Sequence, residues 1–116
     1  MDRGTANFIV REAAGEYRSR EDVTVDATGG ALVAGTILGK VTASGKYVRH
    51  AAGAADGSET EAGILFEAIG AEEDNRTIVA RDAEVNAEHL VYEVGADATQ
   101  ITTTNAALAA LGIIVR

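Results

Sequence analysis

The chain has no cysteine, no proline and no tryptophan. Without cysteine there is no disulfide, no thiolate zinc site and no cysteine nucleophile, and the redox setting is left open. Aromatics are few, two Phe and three Tyr in 116 residues, and much of the 47% hydrophobic content is alanine. A single domain with so few large anchors has a thin core, and association with other chains is an expected source of stability. Basic charge is also short. Ten Lys and Arg face eighteen Asp and Glu, for a net charge of −8, the wrong sign for neutralising phosphates, so nucleic-acid binding is not expected. No apolar run approaches the ~20 residues of a membrane span. The opening MDRGTANFIVREAAGEYRSRED is charged and lacks a signal-peptide core, so a soluble protein made in the cytoplasm is expected, with no membrane partner.

What is present reads mainly as strands. Residues 1 to 20 show no sustained periodicity apart from Phe8, Ile9 and Val10, and with Gly4, Gly15 and scattered Arg and Glu they read as a flexible arm. From residue 21 to 116 the pattern is that of one β-rich domain. DVTVD alternates, with Val23 and Val25 on one face; ATGGAL is a turn. GTILGKVT and KYVRH form a hairpin, in which Gly39 marks a bulge or a close backbone approach and ASG makes the turn. AAGAADGSET is a loop, Gly63 to Ile69 a buried strand, AEEDN an acidic turn, and RTIVARDAEV a further strand. NAEHLVYEV is either a short helix capped by Asn86 or a strand over Leu90 to Val94. ITTTNAALAALG is a helix, capped by Thr104 or Asn105, stopped by Gly112, with Leu108 and Leu111 on one face. IIVR closes the chain as a strand.

Motifs that would carry chemistry fail on spacing. Gly39-Lys40 and Gly45-Lys46 suggest a phosphate loop, but five residues separate the glycines and Tyr47 follows the second lysine, where a serine or threonine is needed for magnesium. His50 and His89 have no His or Cys at metal-ligand spacing and read as surface or half-buried polar residues. Glu72 to Asn75 lacks the alternation and distal glutamate of a calcium loop. Glu59 with Glu61 is a carboxylate pair of the kind any acidic chain offers a hydrolase. Ser19, Ser44 and Ser58 lie outside any nucleophile elbow. The expectation is a protein that is not an enzyme and has no cofactor or metal.

The succession SREDVTV, LVAGTILGKVTASGKYVRH, AADGSETEAGILFEAI, RTIVARDAEVNAEHL and ALAALGIIVR, over residues 19 to 116, resembles the head decoration proteins of lambda-like tailed phages. The resemblance implies a small β-barrel or tulip-like domain with a short C-terminal helix and a flexible N-terminal arm. It implies a structural virion protein, a homotrimer on the outer surface of the expanded head at threefold and quasi-threefold positions. There it would bind the major capsid protein and stabilise the shell against packaged-DNA pressure. It also implies a capsid-binding arm, placed on Phe8, Ile9, Val10 and Arg11 and extended to Val23 and Val25. Three large apolar residues in a polar segment fit strand addition to a capsid edge, where main-chain bonds supply affinity. The alternative is another phage structural module, such as a tail or fibre receptor-binding domain, for which only Tyr17, Tyr47 and Tyr92 offer sugar-stacking surfaces.

Overall fold

In the computed structural model the described residues are 20–92 and 95–116, with the backbone alone of 9–12. Their strands are β1 (Ile9–Glu12), β2 (Arg20–Asp26), β3 (Ile37–Lys40), β4 (Tyr47–Arg49), β5 (Glu61–Leu65), β6 (Glu73–Val79), β7 (Ala83–Val85) and β8 (Ile113–Val115), with one α-helix, α1 (Ala98–Ala110). Five strands close a barrel in the order β2-β4-β3-β5-β6; the other three form a sheet in the order β1-β7-β8. The expected small β-barrel with a C-terminal helix is the fold observed.

The barrel strands carry neighbouring residues into two different cores. Inside the barrel Leu38, Leu65 and Ile78 pack with Val25, Leu32, Tyr47 and Ile69. The next-door residues Ile37, Ile64 and Val79 are paired across three strands and point outward. They meet Ala83, Val85, Leu90, Leu108 and Ile113 in a second core beneath α1 and the sheet. Side chains of a strand alternate between faces, so a strand with both faces buried reads as an unbroken apolar run. That is why ILG, GIL and TIV lack alternation. Each such side chain contributes about 1.5–3 kcal/mol by leaving water.

Local chemistry explains the bends. Gly39 sits at a register shift in the β3–β5 pairing, and a Cβ there would lie 2.3 Å from the Ser58 carbonyl oxygen. The hairpin of β3 and β4 is present, Lys40 opposite Tyr47. Asn86 caps a single 3-10 turn, Ala87–His89, by accepting from the Glu88 amide. Gly112 takes φ +85° just past the helix, its amide donating to Ala109 O, the usual left-handed stop.

Four boundaries differ from the sequence reading. The helix begins at Ala98, not at Thr104 or Asn105, because Asp97 and Gln100 form a reciprocal capping box. Within its β-branched run Thr102 and Thr103 donate to the carbonyls of Ala98 and Thr99, four residues back, which satisfies both hydroxyls inside the helix. Leu111 is the helix C-cap. The acidic turn is shorter than AEEDN: β6 already starts at Glu73, whose neighbours Asp74 and Asn75 pair with Val25 and Thr24 of β2. RTIVARDAEV is two strands, divided at Asp82, which has φ +51°, a conformation Asp tolerates better than most residues. The strand read as Gly63 to Ile69 ends at Leu65, with Ile69 making only an isolated bridge to Leu32. Val91 bridges Thr36, while residues 93 and 94 lie outside the described part.

Candidate interaction surface

Of the residues expected to contact a partner, Ile9, Val10 and Arg11 belong to β1, which runs antiparallel to β7 with Ile9 opposite Val85 and Arg11 opposite Glu84. A register shift falls between Ile9 and Arg11, so the strand is short and interrupted. β1 ends the sheet on that side, and a terminal strand has one row of backbone groups that the sheet itself does not pair. Phe8, the rest of 1–8, and 13–19 lie outside the described residues. Val25 departs from expectation as a contact. It is wholly buried inside the barrel, because it is the inward residue of β2 opposite Asp74. Val23 is half-buried against the same core. Both act by holding β2 in place.

β7 was not separated from β6 by sequence pattern, yet with β8 it builds the platform on which β1 lies. They run parallel, Ala83 to Val85 beside Ile113 to Val115, extended by bonds from the Arg116 amide to Val85 O and from the Ala87 amide to Arg116 O. Asp82 and Gly112, residue types that tolerate positive φ, were the available signals. A Cβ at Gly112 would meet Asp82 Oδ1 at 2.8 Å, so these two corners are fitted to each other. Arg116 and Glu84 form a surface ion pair of 3.2 Å.

The outer face of the β2–β6 pair is a polar ladder. Thr77 Oγ1 donates to Asp22 Oδ1 at 2.8 Å, and Thr24 Oγ1 to Asn75 Oδ1 at 3.1 Å. Lys46 bridges to Glu73 at 2.8 Å, which raises the lysine above its ordinary pKa through that hydrogen bond. At the start of the barrel Arg20 lies over the Phe66 ring, 3.9 Å from its centre, a cation–π contact worth about 0.5–1 kcal/mol at an exposed site.

The residues screened for catalysis are occupied in structural roles. His50 is buried more deeply than the surface or half-buried position expected of it. The chain turns inward after β4, and its Nε2 lies 3.0 Å from the Glu59 carbonyl oxygen and 3.4 Å from Glu61 Oε2. A carbonyl only accepts, so Nε2 carries the hydrogen. Glu61 is buried beside it while Glu59 is exposed and accepts from the Gly57 amide, so the two carboxylates do not converge. The Ser58 hydroxyl donates to Asp56 Oδ1 at 2.6 Å, and Ser44 serves its own turn. His89 is exposed. Tyr47 is buried, and the half-buried Tyr92 packs against the second core and donates its hydroxyl to Asn105; Tyr17 and Ser19 lie outside the described residues. Among the described residues no group of three His, Cys, Asp or Glu is arranged to hold a metal, and no helix is long and apolar enough to cross a membrane.

The surface assembled in this way is a closed polar barrel joined to an open-edged sheet that carries the N-terminal strand. The family model described as bacteriophage lambda head decoration protein D matches residues 1–113. No curated protein matches the chain.

Proposed function

Because this chain belongs to the bacteriophage lambda head decoration protein family, a structural family of the virion capsid surface, we propose that it binds the major capsid protein on the outside of the expanded head. In this reading it sits as a homotrimer at threefold and quasi-threefold positions and stabilises the shell against the pressure of packaged DNA. The observation that carries it is the extent of the family match, which takes in the N-terminal segment as well as the barrel. Residues 1–20 are the capsid-binding arm, with Phe8, Ile9, Val10 and Arg11 as its contacts. The fold supports that assignment: β1 lies at an end of the sheet, held by a short, register-shifted pairing. Such a strand presents backbone groups to which a capsid segment adds by β-augmentation.

The test is titration onto expanded, undecorated heads. Replacing Phe8 and Ile9 together with Ser is expected to cost about 2–5 kcal/mol of binding per arm, from about 1.5–3 kcal/mol per buried apolar side chain. Three arms on one trimer compound the loss through avidity. Wild-type affinity in the double variant removes the arm from the interface. Filled heads carrying the wild-type protein are expected to retain their DNA to a higher temperature than undecorated heads; equal release temperatures refute the stabilising role.

A further inference from the structure

Of the seven aspartates and four asparagines, only Asp56 is followed by glycine. Such a pair is where a main chain rearranges most readily, because no side chain beside the glycine nitrogen hinders its attack. The Gly57 nitrogen bonds to Asp56 Cγ. Its proton and the hydroxyl of the protonated carboxyl depart as water, which closes a five-membered imide. Water then adds at one of the two ring carbonyls. Opening at Cγ restores aspartate. Opening at the former main-chain carbonyl leaves isoaspartate, in which the backbone runs on through Cβ and Cγ. Water is the only co-reactant, and one molecule is lost for each one gained.

Asp56 is exposed and Gly57 half-buried, in the loop between β4 and β5, and the reacting groups are tied down. Asp56 Oδ1 accepts from the Ser58 hydroxyl at 2.6 Å and the Ser58 amide at 3.0 Å. Those bonds favour the ionised carboxylate, which has no hydroxyl to lose. The Gly57 amide donates to Glu59 Oε1 at 2.8 Å. At the other end of the same peptide unit, Asp56 O accepts from the Thr42 amide, also at 2.8 Å. A peptide plane bonded at both ends resists the turn that brings its nitrogen onto Cγ. The glycine itself cannot be exchanged for a less reactive residue. It has φ +107°, and a Cβ there would lie 2.6 Å from Lys40 O and against Thr42 Oγ1. Ser58 is buried, its Cα 2.6 Å from where a Cβ of Gly39 would stand. One more methylene in the main chain here has no room unless Ser58 moves off β3.

We propose that Asp56-Gly57 is a latent isoaspartate site, held closed in the folded chain by Ser58, Glu59 and the Thr42 amide, and released when the loop of residues 51–60 opens. Opening of this kind is local and costs less than unfolding the whole chain. The rearrangement is then one-way for the fold. The inserted methylene pushes Gly57 off Lys40 and Thr42 and Ser58 off Gly39, so a chain that rearranges while open does not regain the native loop. The inference does not depend on how the chain meets the capsid.

The full chain tests it, incubated at neutral pH in heavy-oxygen water, which labels the residue at ring opening. Isoaspartate at position 56 is read by peptide mapping, in the folded chain and in the same chain unfolded in urea. The wild type is expected to rearrange at least about tenfold more slowly folded than in urea. Ser58→Ala and Glu59→Ala each remove one bond of the closure and are expected to raise the folded rate about threefold to tenfold. In urea all three chains should behave alike. Glu59 is exposed, so its variant keeps the fold, as circular dichroism will show, even if Ser58→Ala does not. Equal folded and unfolded rates in the wild type overturn the closure. Wild-type folded rates in both variants overturn the roles of Ser58 and Glu59. A slower folded rate in Glu59→Ala also overturns them, by making that carboxylate a base that assists the attack. Isoaspartate that forms first at another residue in urea removes Asp56 as the site. The separated isoaspartate form is expected to melt below its parent, and an equal Tm refutes the one-way consequence.

Discussion

The barrel β2-β4-β3-β5-β6 closes on itself, whereas the sheet β1-β7-β8 stops at β1 on one side and β8 on the other. Closure satisfies the ladder and removes the edges to which a foreign strand could add. The barrel strands therefore have no free ladder edge, and the sheet has one at each of its terminal strands. The two regions are nonetheless not independent bodies, because Ile37, Ile64 and Val79 give one face of three barrel strands to the core that the sheet and α1 cover. The edge strand is mounted on a rigid support that it shares with the barrel.

The largest effect that bears on this division is a cavity in either core. Ile78 lies inside the barrel and Leu108 lies under the helix, and both are wholly buried. Ile78→Ala and Leu108→Ala are each expected to cost about 2–5 kcal/mol. Because the cores share strands, each variant should still unfold in one transition, with fluorescence-independent probes such as near- and far-ultraviolet dichroism coinciding. A Leu108→Ala protein that melts in two steps, α1 and the sheet first, would separate the regions that packing here joins.

A smaller effect is expected from removing residues 1–19. The β1–β7 pairing spans three residue pairs with a shift inside it, and net contributions of edge hydrogen bonds are about 0.5–1.5 kcal/mol each. The remaining chain, starting at the first residue of β2, should fold and lose only about 1–2 kcal/mol in urea unfolding. A loss as large as that of Ile78→Ala would make β1 a core strand and narrow the difference between sheet and barrel.

How much of this was legible before the fold was known depended on where the deciding interaction lay. The hairpin at Gly39, the cap at Asn86 and the stop at Gly112 were readable, because a local backbone requirement selects the residue. The buried strands were readable from apolar runs, but the existence of two cores was not, since ILG is the same string whether one face or both are covered. The start of α1 was present as Asp97-x-x-Gln100 and was masked by three consecutive threonines, the first two of which donate their hydroxyls back along the helix. His50 and Arg49 are consecutive polar residues that no local pattern marks as buried. Their burial is set by the loop around Ser58 to Glu61 and by Tyr92, partners up to 43 residues away. The candidate arm was legible only as an apolar run in a polar segment, and its pairing with β7 required knowing that Asp82 breaks a strand.

The smallest effect expected is acid weakening, and it sharpens the comparison because its sources lie on one side. Asp26, Asp56 and Asp74 belong to barrel strands or their loops, and each carboxyl is held below its ordinary value of 3.8. For Asp26 and Asp56 the main cause is a hydroxyl donated two residues on, by Thr28 and Ser58; for Asp74 it is the Arg76 guanidinium. A carboxyl whose folded pKa is depressed contributes its stability above the unfolded value and loses it as pH falls through the folded one. Stability should therefore be level down to about pH 4 and decline below it. All three groups are solvent-exposed, so the decline is expected to be shallow. The measurement is urea unfolding from about pH 6 to about pH 2.5, comparing wild type with the triple change Asp26→Asn, Asp56→Asn and Asp74→Asn. The triple variant should start slightly less stable and fall less steeply below pH 4. The chain lacking residues 1–19 should keep the wild-type slope, since none of its three aspartates is touched. If the truncated chain loses the slope and the triple variant keeps it, acid sensitivity resides in the sheet and its arm, and the barrel is the more inert of the two.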